Sequence, residues 1–241
     1  MKVCMTLTVV AILCMVSVAF ASQNRFQQFN TDVQHAYANY RIALFQTNKN
    51  DGEKSQIAVQ QFQQDWELII ETYGVVPPEV FSTDPQWKIT LKSINDIAKK
   101  SADQIEQNEL DKAHETLEGI RDELSNLRHR NSVVVFSDHV NNYHEVMEGL
   151  LLAGYSPENL DADAVDHIRG ELAVLKYLAK QIKENAPPQY GENVKYQQLI
   201  QELSRSLEKL EMAVKDNTPE KISNAVKGLK PAYSKLFVNF G

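Results

Sequence analysis

Residues 108–127 read NELDKAHETLEGIRDELSNL, and residues 217–236 read NTPEKISNAVKGLKPAYSKL. The two stretches match at a constant offset of 109 residues without a gap. This offset is the size of a domain rather than of a solenoid repeat, so two related domains in tandem are predicted. The paired positions are Asn108 and Asn217, Lys112 and Lys221, Gly119 and Gly228, Ile120 and Leu229, Ser125 and Ser234, and Leu127 and Leu236.

Apolar residues repeat at three- and four-residue spacing along nearly all of the chain after Ser22, which predicts amphipathic helices. The helices are interrupted at Asn50 to Gly52, at Asn108, and at two Pro-Pro pairs that occupy equivalent places in the two halves. We therefore predict an all-α protein of two tandem up-down-up-down four-helix bundles, residues 22–131 and 132–241. The stripe predicted for the second helix is Ile57, Phe62, Trp66, Ile69, Ile70 and Tyr73, and that for the eighth is Ile222, Val226, Leu229, Tyr233, Leu236 and Phe240.

The junction between the two halves contains few helix-breaking residues. From Leu110 to Gly149 there is no proline, and Gly119 is the only glycine before Gly149. Either one long helix runs through both bundles, or the chain turns near Asn131-Ser132. The scarcity of breakers favours the continuous helix, with the apolar residues 133–136 packed between the bundles.

The N-terminus, residues 1–21, has the pattern of a secretory signal peptide. One positive residue, Lys2, precedes an apolar run from Val3 to Phe20 that ends in a small-x-small sequence. Cleavage is predicted after Ala21. An uncleaved membrane anchor is the alternative, although the run is near the short limit for a membrane span.

The composition indicates the compartment and limits the partners. Both cysteines, Cys4 and Cys14, lie within the predicted signal, so the mature chain is predicted to have neither thiol nor disulfide. The chain also contains no Asn-x-Ser/Thr sequon. Together, the two observations favour a bacterial periplasm. The net charge of −7 becomes −8 when Lys2 is removed, which disfavours nucleic acid as a partner. The predicted partner is a protein, a small ligand or a metal, with no membrane span after signal cleavage.

The densest run of candidate metal ligands extends from Asp138 to Met147. Asp138, His139, His144 and Met147 offer carboxylate, imidazole and thioether donors, which suit Cu, Zn, Ni or Fe better than Ca. Because the two histidines are five residues apart, they do not share one face of a helix, and a site would need ligands from neighbouring helices. The alternative interpretation is two histidines at the polar boundary of an ordinary helix.

The predicted architecture resembles the exported four-helix bundles of the cytochrome c′ and cytochrome b562 group, in duplicate. The resemblance rests on the Pro-containing middle loops and on a final helix that contains Gly228-Leu229-Lys230-Pro231-Ala232-Tyr233. It implies a bundle scaffold that, in non-covalent members, holds haem between a Met on the first helix and a His on the last. The first half has His129 without the Met, and the second has Met147 without the His. Covalent haem is excluded because Cys-x-x-Cys-His is absent, and no haem site is predicted.

The sequence also lacks a nucleophile elbow and a Gly-rich phosphate loop, so no enzymatic activity is predicted. The function predicted from these patterns is an exported non-enzymatic binding or interaction protein. The alternative is a periplasmic metal-binding or metal-handling protein that uses the run Asp138 to Met147. The loop from Gly74 to Trp87 is unusually apolar, and we expect it to fold over a bundle end or to form a partner surface.

Overall fold

The structure is a computed structural model that describes the backbone of residues 3–241 and the side chains of residues 24–241. Helix accounts for 82% of the protein and no strand occurs in this part of the chain, which confirms the predicted all-α class. Among residues 24–241, no helix is long and apolar enough to cross a membrane. The predicted signal peptide, residues 1–21, lies outside the residues whose side chains are described.

The first of two compact units, Met1–Val133, contains four long helices. They are α1 Val3–Asn48, α2 Gly52–Tyr73, α3 Trp87–Glu106 and α4 Leu110–Arg130, with one 3-10 turn at Glu79–Phe81. α1 packs against α2 and α4, and α3 packs against the same two helices. The apolar faces of all four helices therefore meet in one core.

The second compact unit, Val134–Gly241, repeats this plan with more interruptions. Its helices are α5 Phe136–Leu152, α6 Ala162–Glu184, the one-turn α7 Pro188–Gly191, α8 Val194–Asp216, α9 Pro219–Lys227 and α10 Leu229–Phe240. α5 packs against α6 and α10, and α8 packs against the same two helices. The short α9 packs against α5 and α8.

The predicted apolar stripes form the two cores, with one exception in α2. Trp66 and Phe62 are fully buried, as predicted, but Ile57 is largely exposed, so its assignment to the core was wrong. Ala58 and Val59 take the inward positions at this end of the helix instead. Ile57 lies five residues before Phe62, which places it about 140° away around the helix axis.

Three long helices, α1, α3 and α4, end in the same hydrogen-bonded turn. A residue with φ between 55° and 59° follows each cap: Asn50, Asn108 and Ser132. The amide of the next residue then bonds to a carbonyl five residues back, as Asp51 N does to Gln46 O at 3.0 Å. This Schellman arrangement satisfies carbonyls at the helix end. The interruptions predicted at Asn50 and Asn108 are confirmed, because asparagine tolerates the left-handed conformation.

The continuous helix favoured for the junction is wrong, since the chain turns at Asn131-Ser132 as the alternative proposed. Ser132 has a φ of 55°, and the Val133 amide donates to the Arg128 carbonyl at 2.9 Å. These bonds end α4 at Arg130, and α5 begins only at Phe136. Serine seldom adopts this left-handed conformation, so the residue type at position 132 did not indicate a turn.

Two helix boundaries also differ from prediction. The predicted eighth helix is interrupted at Gly228, because Pro231 has no amide hydrogen to donate to the Lys227 carbonyl. The pair Asp84-Pro85 has the pattern of an N-cap followed by a proline in the first turn, which predicts that α3 begins there, but the helix begins two residues later, after Gln86. The Asp84 carboxylate accepts hydrogen bonds from the Gln86 amide at 2.9 Å and from the Arg130 Nε at 2.9 and 3.1 Å.

An aromatic cluster closes the same end of each unit. In the first, the rings of Phe29, Phe81 and Trp87 lie 5.2–5.6 Å apart, and Trp87 Nε1 donates to the Tyr73 carbonyl at 3.1 Å. The second unit repeats this with Phe136, Tyr190 and Tyr196, whose ring distances are 5.4–6.2 Å. Tyr196 Oη donates to the Ile182 carbonyl, also at 3.1 Å. The paired residues are 107 to 109 positions apart in the sequence, which supports an internal duplication.

Candidate functional site

The run of candidate ligands, Asp138 to Met147, lies on the first two-thirds of α5. Val135 is extended just before the helix, and Asp138 Oδ2 accepts a hydrogen bond from the Val135 amide at 2.9 Å. This bond satisfies one of the amides that a helix start leaves without an intrahelical partner. Asp138 therefore already serves to fix the beginning of α5.

His144, one of the two predicted imidazole ligands, is partly buried against α10. Its side chain is 15% exposed, and its ring lies 5.1 Å from the Tyr233 ring of α10. His144 Nδ1 is 3.7 Å from Glu148 Oε2, one helical turn further along α5. A histidine and a carboxylate at this spacing share one face of the helix and can both reach the same ion.

The structure separates His139 from His144 around α5 and buries Met147. His139 is half-buried and lies about 140° around the helix axis from His144. The Met147 side chain is fully buried in the core of the second unit. Glu148, which sequence reasoning missed, is the residue that the structure pairs with His144. Its spacing of four residues from His144 was the available signal.

The tyrosines beside His144 provide an uncharged wall. The rings of Tyr143 and Tyr233 stack 5.8 Å apart, and Tyr233 stacks in turn on Phe237 at 5.7 Å. Burial raises the pKa of Tyr143 well above its ordinary value. The phenol therefore stays neutral at physiological pH.

Two other histidines have defined partners. In the first unit, His114 Nδ1 is 3.0 Å from Thr47 Oγ1 and 3.1 Å from the Leu44 carbonyl, which links α4 to the end of α1. In the second unit, His167 Nδ1 is 2.6 Å from Tyr155 Oη. Each histidine contacts the end or the connection of a neighbouring helix, so these contacts join elements of the fold.

A second candidate site is a line of four residues on the solvent side of α2 with an exposed aliphatic side chain at each end. Ile57, Gln61, Gln64 and Leu68 follow one another at spacings of four, three and four residues, which places them on one face. We call these four residues the outer line of α2. Ile57 and Leu68 are 62% and 61% exposed. Sequence reasoning missed this line because it assigned Ile57 to the core.

Comparison with known protein families, sequences and structures identified no relative of this chain. No family model matches the chain, and no significantly similar curated protein or solved structure was found. The resemblance to the cytochrome c′ and cytochrome b562 group therefore stays a prediction from the sequence pattern.

Proposed function

We propose that the protein is an exported, non-enzymatic binding or interaction protein built from two up-down-up-down four-helix bundles. The closed set of neighbouring helices in each unit supports the bundle arrangement, as do the equivalent aromatic ends. The apolar run from Val3 to Phe20 and a mature chain without cysteine support export to the periplasm. N-terminal sequencing of the protein from its host is expected to begin at Ser22.

The observation that carries the proposal is the outer line of α2. The opposite face of this helix is fully packed, so Ile57 and Leu68 are not needed to hold the unit together. Burying the exposed part of each side chain would contribute about 1 kcal/mol to binding. Alternating three- and four-residue spacing is the pattern by which one helix packs against another. The outer line therefore fits a helical segment of a partner protein.

Photo-cross-linking in the native host tests this proposal. A photoreactive phenylalanine analogue replaces Leu68, and in a control variant it replaces Asn126, which is exposed on α4, a helix that packs against α1 and α3. We expect a discrete adduct from position 68 that is absent from position 126. Equal labelling at both positions, or none at either, would contradict a partner on the outer line.

A metal-binding function is the second candidate, and the His144–Glu148 pair favours it. Together the two residues offer an imidazole and a carboxylate beside a neutral aromatic wall. Such donors suit Zn or Cu, which would still need further ligands to complete their coordination. The wider predicted set of Asp138, His139, His144 and Met147 remains part of this proposal.

Metal analysis of the protein purified from its host separates the two candidates. If a metal is bound, we expect His144→Ala and Glu148→Gln each to weaken its affinity about tenfold or more. His139→Ala tests the wider ligand set, and His35→Ala, at a well-exposed residue of the first unit, is the control. A colourless, metal-free protein that takes up neither Cu, Zn, Ni, Fe nor haem would rule out this second function.

A further inference from the structure

The outer line of α2 has a charged residue beyond each end. Lys54 lies three residues before Ile57, and Glu71 lies three residues after Leu68. Both charged side chains are exposed, and they continue the alternating spacing of three and four residues, so they share the face of the outer line. We call the outer line together with Lys54 and Glu71 the extended line of α2. It runs from the first turn of the helix to the last.

The extended line is symmetrical about its centre. Its positions pair from the outside inward as 54 with 71, 57 with 68, and 61 with 64, and each pair is equidistant from the midpoint between residues 62 and 63. Two copies of α2 packed in opposite directions about a two-fold axis would place each residue opposite its pair in the other copy. A two-fold contact requires such self-complementarity, because each residue meets its pair in both directions.

The outermost pair is complementary in charge. In the antiparallel arrangement, the ammonium of Lys54 would face the carboxylate of Glu71 at both ends of the contact. Lys54 Nζ already lies 2.6 Å from Asp51 Oδ2, but its side chain is 65% exposed and an ammonium has three hydrogens to donate. Two copies running in the same direction would instead oppose Lys54 to Lys54 and Glu71 to Glu71. The charges therefore favour the antiparallel direction.

The inner pairs combine apolar contacts with a polar centre. Ile57 would pack against Leu68 at two places, and burial of these exposed side chains favours association. Gln61 would lie opposite Gln64, where each amide can both donate and accept a hydrogen bond. A polar residue in a helix–helix contact fixes the alignment at a cost in stability. The contact is therefore specific in its alignment but weak.

The second unit shows that the fold does not require this pattern. At the offset of 109 residues, Ile57 and Leu68 correspond to Asp166 and Tyr177 of α6, and both of those residues are exposed. The equivalent pair in α6 would oppose a carboxylate to an aromatic ring, so α6 lacks the apolar contact. The self-complementary apolar pair is a property of the first unit.

We propose that the partner on α2 is a second copy of this chain, bound antiparallel through the extended line as a weak homodimer. This inference rests on the proposed binding function, because it names the occupant of the same surface. Glu53 and Glu67 flank the line on one side and would approach each other between the copies, which limits the affinity. Lys99 Nζ lies 3.8 Å from Glu67 Oε1 and offsets part of this repulsion.

Sedimentation equilibrium of the chain purified from its host tests the dimer. In reducing buffer the mass should rise from monomer to dimer with concentration. Leu68→Glu should raise the Kd at least tenfold, because each dimer would bury two carboxylates in place of two aliphatic side chains. Leu152→Glu is the matched control, since Leu152 is 80% exposed at the end of α5 and lies outside the extended line. This control should leave the Kd unchanged.

Charge reversal tests the antiparallel alignment. Lys54→Glu and Glu71→Lys should each raise the Kd severalfold, because each places like charges opposite each other at both ends of the contact. The double variant restores opposite charges at both ends and should return the Kd to within about twofold of the wild-type value. Both positions are exposed, and circular dichroism of each variant verifies that the helices are retained.

A chain that stays a monomer up to about 1 mM would overturn the proposal, as would a dimer that Leu68→Glu does not weaken. A double charge reversal that binds no better than the single variants would contradict the antiparallel alignment. The photo-cross-linking at position 68 separates this inference from the function on which it rests. An adduct of twice the chain mass supports the homodimer. A monomeric chain that cross-links to a different protein would exclude the homodimer but support the binding function.

Discussion

Asp84 joins the start of α3 to the end of α4, where its partner Arg130 lies 46 residues further along the sequence. Its side chain is 1% exposed and accepts hydrogen bonds from Arg130 Nε, Asn131 Nδ2 and the Gln86 amide. Arg130 also donates from Nη2 to Thr90 Oγ1 at 2.7 Å. The carboxylate therefore fixes the start of α3 against the end of α4.

Replacing Asp84 with asparagine should lower the free energy of unfolding by about 2 kcal/mol, because the buried carboxylate loses its charge-assisted hydrogen bonds from Arg130 and the Gln86 amide. Urea denaturation followed by circular dichroism measures the change. Asp96→Asn is the control, since Asp96 pairs with Lys92 on an exposed helix face and should cost less than about 0.5 kcal/mol. Equal effects of the two substitutions would show that the Asp84 network contributes little.

The same network predicts that the stability of the fold decreases at acidic pH. Burial raises the pKa of Asp84, but hydrogen bonds from Asn131, the Gln86 amide and Arg130 outweigh it and hold the pKa below the ordinary 3.8. The folded protein therefore releases this proton more readily than the unfolded chain does. Its stabilising contribution is present above pH 3.8 and is lost as the pH falls through the folded value. The stability difference between wild type and Asp84→Asn should narrow on acidification.

The environment of Tyr73 predicts that the stability of the fold decreases at alkaline pH. Burial and a 2.6 Å hydrogen bond donated to Asp32 Oδ2 raise the pKa of Tyr73 from 10.0 to about 12. The folded chain keeps a proton that the unfolded chain loses, so this contribution is present below pH 10.0 and is lost as the pH rises through about 12.

Tyr73→Phe should therefore reduce the loss of stability between pH 10.0 and about 12. At neutral pH the variant should lose about 1 kcal/mol with the hydrogen bond. Unfolding midpoints in urea at a series of pH values give both quantities. Tyr177→Phe is the control because Tyr177 is largely exposed, and it should leave the alkaline profile unchanged. A profile that is identical in the Tyr73 variant and the wild type would contradict the assignment.

At the scale of elements, the turn after α4 depends on one strained residue. Ser132 has a φ of 55°, where a glycine is free of the steric cost that its side chain imposes. Ser132→Gly should raise the free energy of unfolding by up to about 1 kcal/mol, and Ser132→Val should lower it by about 1–2 kcal/mol.

Denaturation midpoints of the two variants and of Ala173→Gly test this prediction. Ala173 is exposed within α6, where glycine should cost about 1 kcal/mol. Glycine should therefore be favourable only at position 132. If both glycine variants were destabilised alike, the strain at Ser132 would be absent.

Helix class, most interruptions and most core positions could be predicted because they follow from local spacing. Asn50 and Asn108 carry a conformational preference that is visible in the residue type. Ser132 has no such preference, and Ile57 matched the core periodicity closely enough to mislead. Partners that are far apart in the sequence, such as Asp84 and Arg130, leave no periodic signal at all.

The candidate ligand run shows the same limit at the site. Its position at the start of α5 followed from the pattern, but the pairing of His144 with Glu148 and the burial of Met147 depend on how α5 is rotated against its neighbours. That rotation is set by packing, which the sequence of one helix does not determine.

At the scale of the whole molecule, each unit has its own closed set of helices, and about 110 residues is enough for an independent domain. Fragments 22–133 and 134–241 should therefore each fold and unfold cooperatively in urea. A cut after Val133 keeps the hydrogen bond that the Val133 amide donates to the Arg128 carbonyl. A cut at the predicted boundary, after residue 131, would remove this bond. Fragment 22–106, which lacks α4, should be unfolded. Two unfolded halves would show that the units depend on each other.

The aromatic ends also give the two units different optical properties. Both tryptophans, Trp66 and Trp87, lie in the first unit, and Tyr196 takes the place of Trp87 in the second. Tryptophan fluorescence of the unmodified chain therefore reports only on the first half, whereas far-ultraviolet circular dichroism reports on both. Comparing the two signals in a single melt shows which half loses its structure first, without any engineered label.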